Sequence, residues 1–265
     1  GGNPQTILVL RNLGFVLLCG LWLRARGRSL PLDRRRRLVC FGAGAAYTVG
    51  AGALLWSLVY LPVSLAILIF FTFPLMTALL SCLPERRRPG IGQLLCLATA
   101  LAGLALALEL EQVAFDPRGV ALAALGAAGI AVSYVWTGRA LPDTDSAVMT
   151  FHMALTGLVL VGIFTVATGS FALPSGSVAG WVALAGGVLC FAGAFFAMFR
   201  GVHLIGAAPT AMVMNMEPVF TIALSVTLLS EALSGRTALG AAGVILAVAV
   251  SQLLAARRPG TPTVA

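Results

Sequence analysis

Apolar residues fall in blocks along this chain, and polar residues collect between them. A block of about 20 apolar residues is what the hydrocarbon core of a bilayer requires of a helix. Nine blocks meet or approach that length, at roughly residues 7–23, 38–60, 63–83, 91–108, 119–138, 146–168, 178–199, 206–229 and 237–256. The pattern predicts an all-α fold, a polytopic membrane helix bundle. The first block is the weakest, because Arg11 and Asn12 interrupt it. It does not read as a secretory signal: Arg24, Arg26 and Arg28 follow the apolar run, whereas a signal carries its basic residues in front.

Composition excludes a single water-facing globule. The 265 residues are 59% hydrophobic and 10% charged, with a mean hydropathy of +0.99, where a soluble domain has about 45–50% apolar and about 25% charged residues. Cys19, Cys40, Cys82, Cys96 and Cys190 each stand singly in an apolar stretch. They outline neither a disulfide framework nor a zinc site, and no cofactor or metal is expected.

Charge changes the picture by giving it a direction. The net charge of +8 comes from 17 arginines, with no lysine, against 9 acids. A nucleic-acid partner would need basic residues on one solvated face, but these arginines sit between apolar blocks. Short Arg-rich loops stay cytoplasmic. Arg24, Arg26, Arg28, Arg34 to Arg37, Arg86 to Arg88, Arg139, Arg200, Arg257 and Arg258 fall on one side, and Arg11, Arg118 and Arg236 on the other. Nine crossings then put the N-terminus of this chain outside and its C-terminus in the cytoplasm. A specific lipid or phosphate site at Arg34 to Arg37 is the alternative use of that run. The all-arginine basic set suits a GC-rich genome and gives the expectation of a bacterial inner (plasma) membrane.

Tryptophan placement fits this map. Trp22, Trp56, Trp136 and Trp181 lie near span ends, where an indole keeps its body in hydrocarbon and its N–H among headgroups. Tyr60 and Tyr134 are expected to share that belt. Tyr47 falls near mid-span and is a cavity candidate. Small residues four apart in GAGAAYTVGAG (42–52) predict close helix contacts, and Gly186, Gly193, Ala197, Gly240 and Gly243 suggest similar packing elsewhere. The first stretch loosely imitates a nucleotide-binding fingerprint, but no strand precedes it.

Two segments share an order of features. LPVSLAILIFFTFPLMTALLSCLPERRRPGIGQLL (61–95) and IGAAPTAMVMNMEPVFTIALSVTLLSEALSGRTALG (205–240) each carry a mid-helix proline, Pro74 or Pro218, then Leu-Ser, then Glu85 or Glu231, then another Gly-studded span. The charge map sends them across in opposite directions, as in the inverted repeats of secondary transporters. The halves are drawn at 1–115 and 116–265.

On these residues the chain resembles the drug/metabolite transporter superfamily, in particular its EamA-type members. MEPVFTIALSVTLLSEALSGRTALGAAGVILAVAV (216–250) is similar to the C-terminal signature of that family. Phe73 departs from it, standing where the second copy has Glu217. The resemblance implies ten helices in two sets of five. NPQTILVLR is similar to the link into the family's second helix, so the first helix is expected to be missing from this chain.

An ionisable group at bilayer depth costs at least about 2.5–3.5 kcal/mol, so it has a function or a partner. Glu217 is the mid-span acid. Thr210, Met214, Glu217, Thr221 and Ser225 recur at steps of three and four, which predicts one polar stripe on one helix face. Pro218 leaves the carbonyl of Met214 without a donor and kinks the helix, and Pro74 is expected to kink its own. Glu217 is therefore a candidate for substrate binding and proton coupling, with Thr210, Met214, Thr221, Tyr47, Phe195 and Thr72 as further substrate-binding candidates. The competing reading is a protonated Glu217 bonded to a neighbouring helix beside a packing kink, with Asn215 making an interhelical bond.

The function expected is secondary transport of small metabolites by alternating access around a midplane cavity, with export of amino acids or related compounds implied by the resemblance. The alternatives are a membrane-embedded enzyme and a non-transporting or inactive membrane subunit. No enzyme motif is found: neither H-E-x-x-H nor G-x-S-x-G occurs. Expected partners are a small-molecule substrate, the lipid bilayer and, as a homodimer, a second copy of the chain, without nucleic acid.

Overall fold

The computed structural model describes residues 4–83, 90–108, 116–140, 144–171, 178–229 and 234–256. Within them the chain is helical, with no strand. The elements are α1 (Pro4–Ala25), α2 (Arg34–Ser57), α3 (Val63–Phe70), α4 (Phe73–Cys82), α5 (Ile91–Ala107), α6 (Pro117–Ala140), α7 (Ser146–Ala167), α8 (Val178–Ile205), α9 (Ala207–Met214), α10 (Met216–Leu229) and α11 (Gly235–Ala256). Seven of the described spans are long and apolar enough to cross a membrane, and Ile91–Ala107 is a shorter apolar helix. In hydrocarbon every backbone N–H and C=O must be satisfied within the chain, which leaves helices as the economical answer for such blocks. The chain is an integral membrane protein.

The eleven helices are the nine predicted spans, two of which are broken. Pro74 and Pro218 were expected to kink their helices; each instead sits in the first turn of a new one. Pro74 has no N–H for the Phe70 carbonyl and Pro218 none for that of Met214, so the break opens upstream. At the first, Phe71 N–H still reaches Ile67 O at 2.9 Å, but Thr72 N–H turns to Ile69 O at 3.1 Å. At the second, Asn215 N–H turns to Met212 O at 3.2 Å. The two broken spans and their followers open in step: Val63 and Ala207, Ile91 and Gly235, and Arg34 and Val178 are separated by the same number of residues.

Contacts divide the chain into two compact units. The first is Gly1–Thr48 with Trp136–His203, the second Val49–Val135 with Leu204–Ala265. Each draws on both sequence halves.

In the first unit α1 packs along α7. Leu23, Ala147 and Val148 form a buried cluster with Cys19, Leu30, Phe151 and Phe196 against it. Gly44 brings α2 against the α7 backbone, since a Cβ there would lie 2.8 Å from Met153 O. Asp145 fixes the start of α7, accepting from Ala147 N–H at 2.8 Å and from Arg28 Nη1 at 2.8 Å. One carboxylate thus caps a helix and holds the loop that leaves α1.

In the second unit α5 packs along α11 and α4 along α9. Both helix contacts of this unit that run closest are made by reciprocal glycines. A Cβ on Gly103 would lie 2.7 Å from Gly240 O, and one on Gly240 would lie 2.6 Å from Ala107 N. Likewise a Cβ on Gly50 would meet Gly126 O at 2.9 Å, and one on Gly126 would meet Gly50 O at 3.1 Å. Gln252 Nε2 donates to Pro209 O at 3.2 Å, tying α11 to α9. Gly206, at φ 91°, makes the corner before α9, a backbone state that costs a side-chain-bearing residue dearly.

Some expectations need correction. Tyr134 is buried, 1% exposed, with its ring 5.9 Å from that of Phe73, so it is a core residue and not part of the belt. All four tryptophans are exposed, between 42% and 53%, as a belt requires. Gly52, Gly186 and Gly193 were expected at close contacts, yet a Cβ on any of them would meet nothing within 4 Å. Glu85, Arg86 to Arg88, Glu109, Glu111, Glu231, Arg257 and Arg258 lie outside the described residues.

Two substitution pairs check this packing. Gly103→Ala presses a methyl on backbone that cannot swing away and should cost about 1–3 kcal/mol, whereas Gly52→Ala fills open space and should stabilise by about 0.5–1 kcal/mol; thermal unfolding in detergent micelles reads both. Asp145→Ala should cost about 1–2 kcal/mol through the lost cap. Asp145→Asn keeps an acceptor, loses only the exposed ion pair, and should cost less than about 1 kcal/mol.

Candidate functional site

The residues singled out in the sequence fall into two groups, one in each unit. In the first, Tyr47 on α2 meets Phe195 on α8 edge-on, with ring centroids 5.0 Å apart. Phe195 is 4% exposed and is the hub of an aromatic cluster: Phe15 stands edge-on at 5.4 Å, Phe191 stacks at 5.3 Å and Phe199 stands edge-on at 5.1 Å. Steps of four along α8 put Phe191, Phe195 and Phe199 in one row. Tyr47 and Phe191 are half-buried at its margin.

In the second unit Thr210, Met214, Glu217 and Thr221 lie on the broken span. The interruption at Asn215 falls between Met214 and Glu217, so the stripe is carried by two helices, not one. Thr210 is buried, Met214 half-buried, and Glu217 and Thr221 exposed; the side chain of Ser225 lies outside the described residues. Three candidate hydroxyls are bonded to carbonyls a turn back: Thr210 to Gly206 O at 2.8 Å, Thr221 to Glu217 O at 3.0 Å and Thr72 to Ile69 O at 2.7 Å. Such back-bonding suits helix bends. Asn215 was expected to bridge helices; it is 4% exposed and its Nδ2 donates to Met212 Sδ at 3.4 Å in its own turn. The two prolines are buried, as is Phe73. Phe73 lies among Phe70, Phe71 and Tyr134, whereas Glu217, its counterpart by order, is accessible. Glu217 lies about 15 Å along its span from Ala207, at 1.5 Å per residue, near the middle of that span. It opens α10, where the helix dipole favours a carboxylate.

Sequence reasoning missed Arg11. Its charge was assigned to the outer side, but Arg11 lies within α1, about 10 Å from the helix start. The guanidinium carbon sits 3.8 Å from the centroid of the Phe191 ring. Arg11 Nε is buried without a hydrogen-bond partner. A desolvated cation–π contact contributes about 2 kcal/mol, less than the insertion cost of an arginine at depth. Beside it, Asn12 Nδ2 donates to Leu8 O at 2.9 Å, and Gly157 lets α7 come close to Thr48 Oγ1 and Asn12 Oδ1. The interruption of the first apolar block was the visible signal; the partner ring, far along the chain, was not.

The profile of the EamA-like transporter family matches residues 1–108 and 117–252. The chain belongs to the EamA-like transporter family. It is thus a membrane transporter of the drug/metabolite transporter superfamily, a family that is generally non-enzymatic. One solved crystal structure superposes with a TM-score of 0.82 at 22% identity, covering 97% of this chain and 90% of that one; this likeness concerns the fold. No curated protein matches the chain.

The two groups should respond differently to substitution. Glu217→Gln changes an exposed side chain and should shift stability by no more than about 0.5 kcal/mol. Phe195→Ala empties the centre of the ring cluster and should cost about 3–5 kcal/mol. Scanning fluorimetry of the purified protein compares them.

Proposed function

We propose that this EamA-family protein is a secondary transporter of small metabolites, an exporter of amino acids or related compounds, working by alternating access around a midplane site. The observation that carries the reading is Glu217: an accessible carboxylate at mid-span depth, opening a helix directly after a break. Discontinuous helices at the bilayer midplane are where secondary transporters hold substrates and coupling ions. The exposed carboxylate supports a role in proton coupling, with Met214 and Thr221 as neighbours for substrate. Two broken spans that open at matching positions support division into related halves at 1–115 and 116–265. The orientation proposed is an external N-terminus of this chain and a cytoplasmic C-terminus in a bacterial inner membrane, and the proposed assembly is a homodimer.

The test is counterflow in proteoliposomes loaded with amino acids, comparing wild type with Glu217→Gln. Wild-type vesicles should accumulate labelled substrate with a rate that depends on pH. Glu217→Gln should lose most of that rate, or keep exchange while losing its pH dependence. Full transport with unchanged pH dependence would remove Glu217 from the mechanism.

A further inference from the structure

We infer that Arg11 is the anchor of an anion site in the first unit, and that the group it takes is the carboxylate of a small organic acid whose apolar or aromatic body lies on the Phe191–Tyr47 margin of the ring cluster. This deepens the reading of the chain as a carrier of small metabolites, and rests on it only for the use of the site.

Three observations converge. First, a permanent cation stands inside a membrane helix, and no acid pairs with it among the described residues. Arginine stays charged even in apolar surroundings, so the charge cannot be discarded by losing a proton. Second, the ring contact leaves a donor unmatched. The guanidinium carbon lies 3.8 Å from the centroid of the Phe191 ring, a contact that provides no acceptor oxygen. Nε is buried without an acceptor. Side-on pairing of a guanidinium with a carboxylate makes two parallel N–H···O bonds. A carboxylate supplies the missing countercharge and the missing acceptor together.

Third, the neighbours suit such a ligand's body. Tyr47 and Phe191 are half-buried, while Phe15, Phe195 and Phe199 behind them are buried. The rings of the cluster that retain accessible surface are thus Phe191, which lies against the cation, and Tyr47, which like Phe191 packs on Phe195. An aromatic acid can pack against their accessible margins while its carboxylate meets Arg11. A cationic ligand would be repelled, and a neutral amide offers a weaker acceptor and no charge.

The experiment uses benzoate, benzamide and benzylamine as isosteric probes on the purified, full chain, read by equilibrium binding. Benzoate should bind at least about tenfold more tightly than benzamide, and benzylamine should not bind. Arg11→Met should abolish the preference for benzoate, and Arg11→Lys should restore part of it. A labelling arm needs no variant: phenylglyoxal modification of Arg11, followed by mass spectrometry of its peptide, should be slowed by benzoate and not by benzamide. Equal binding of benzoate and benzamide overturns the inference, as does an undiminished preference in Arg11→Met or a labelling rate indifferent to benzoate. Protection by phosphatidylglycerol but not by benzoate also overturns it, assigning Arg11 to a lipid phosphate. Binding of benzoate in a protein that moves no solute in vesicles leaves this site standing and overturns the transport reading instead. Transport that proceeds at full rate in Arg11→Met with every carboxylate substrate does the reverse.

Discussion

Lipid tails are as apolar as leucine, so a helix in a bilayer gains nothing by hiding its side chains against another helix. Association must come from close packing and from polar groups that find partners. In this protein that constraint is met by backbone approaching backbone where a side chain is absent. Gly103 faces Gly240, Gly50 faces Gly126, and Gly44 faces the Met153 carbonyl. The leucines and valines meanwhile spread outward: Val59, Ile91, Val166 and Leu239 are each more than two-thirds exposed. A water-soluble protein would invert this arrangement. Here small residues make the closest helix contacts, aromatic clusters fill part of the interior, and many large aliphatic side chains are exposed.

The same constraint explains the broken helices. A proline withdraws one N–H, and hydrocarbon supplies no water to the carbonyl left behind. The chain responds with shorter i to i−3 bonds at Thr72 and Asn215 and with threonine hydroxyls folded back on carbonyls at Thr72, Thr77 and Thr210. Threonine in these spans is thus largely a servant of the backbone. That separates the polar residues near the breaks into threonines committed to main-chain bonds, Asn215 bonded to the Met212 sulfur, and Glu217, whose side chain is accessible.

Much of the fold was legible, because span length and apolar continuity are set by the bilayer and not by neighbours. The nine blocks survive with boundaries moved by a few residues, and only the break positions were missed. A proline announces a disruption but does not say which upstream turn will yield. Side-chain environment was far less legible. Tyr60 and Tyr134 both lie toward span ends, but Tyr134 is buried because Phe73 and its neighbours close over it. Gly186 and Gly193 suggest packed glycines, yet a Cβ on either would meet nothing within 4 Å among the described residues. The sequence displayed Arg11 as a flaw in an apolar block; that it stacks on Phe191 depends on how α1 and α8 meet, which no local pattern encodes. Conversely, Tyr47 is nominated by its mid-span position, and its ring does touch that of Phe195, another candidate.

Reciprocal glycines carry an evolutionary consequence. Elsewhere in a protein an enlarged side chain can be accommodated when its neighbour becomes smaller in a later generation. At Gly103 and Gly240 each partner is already the smallest residue the genetic code offers, and the nearest atom opposite each is main chain. Trimming Ala107 or Val244 would leave those backbone atoms in place, so the α5–α11 seam resists gradual remodelling and changes by the two helices sliding or parting.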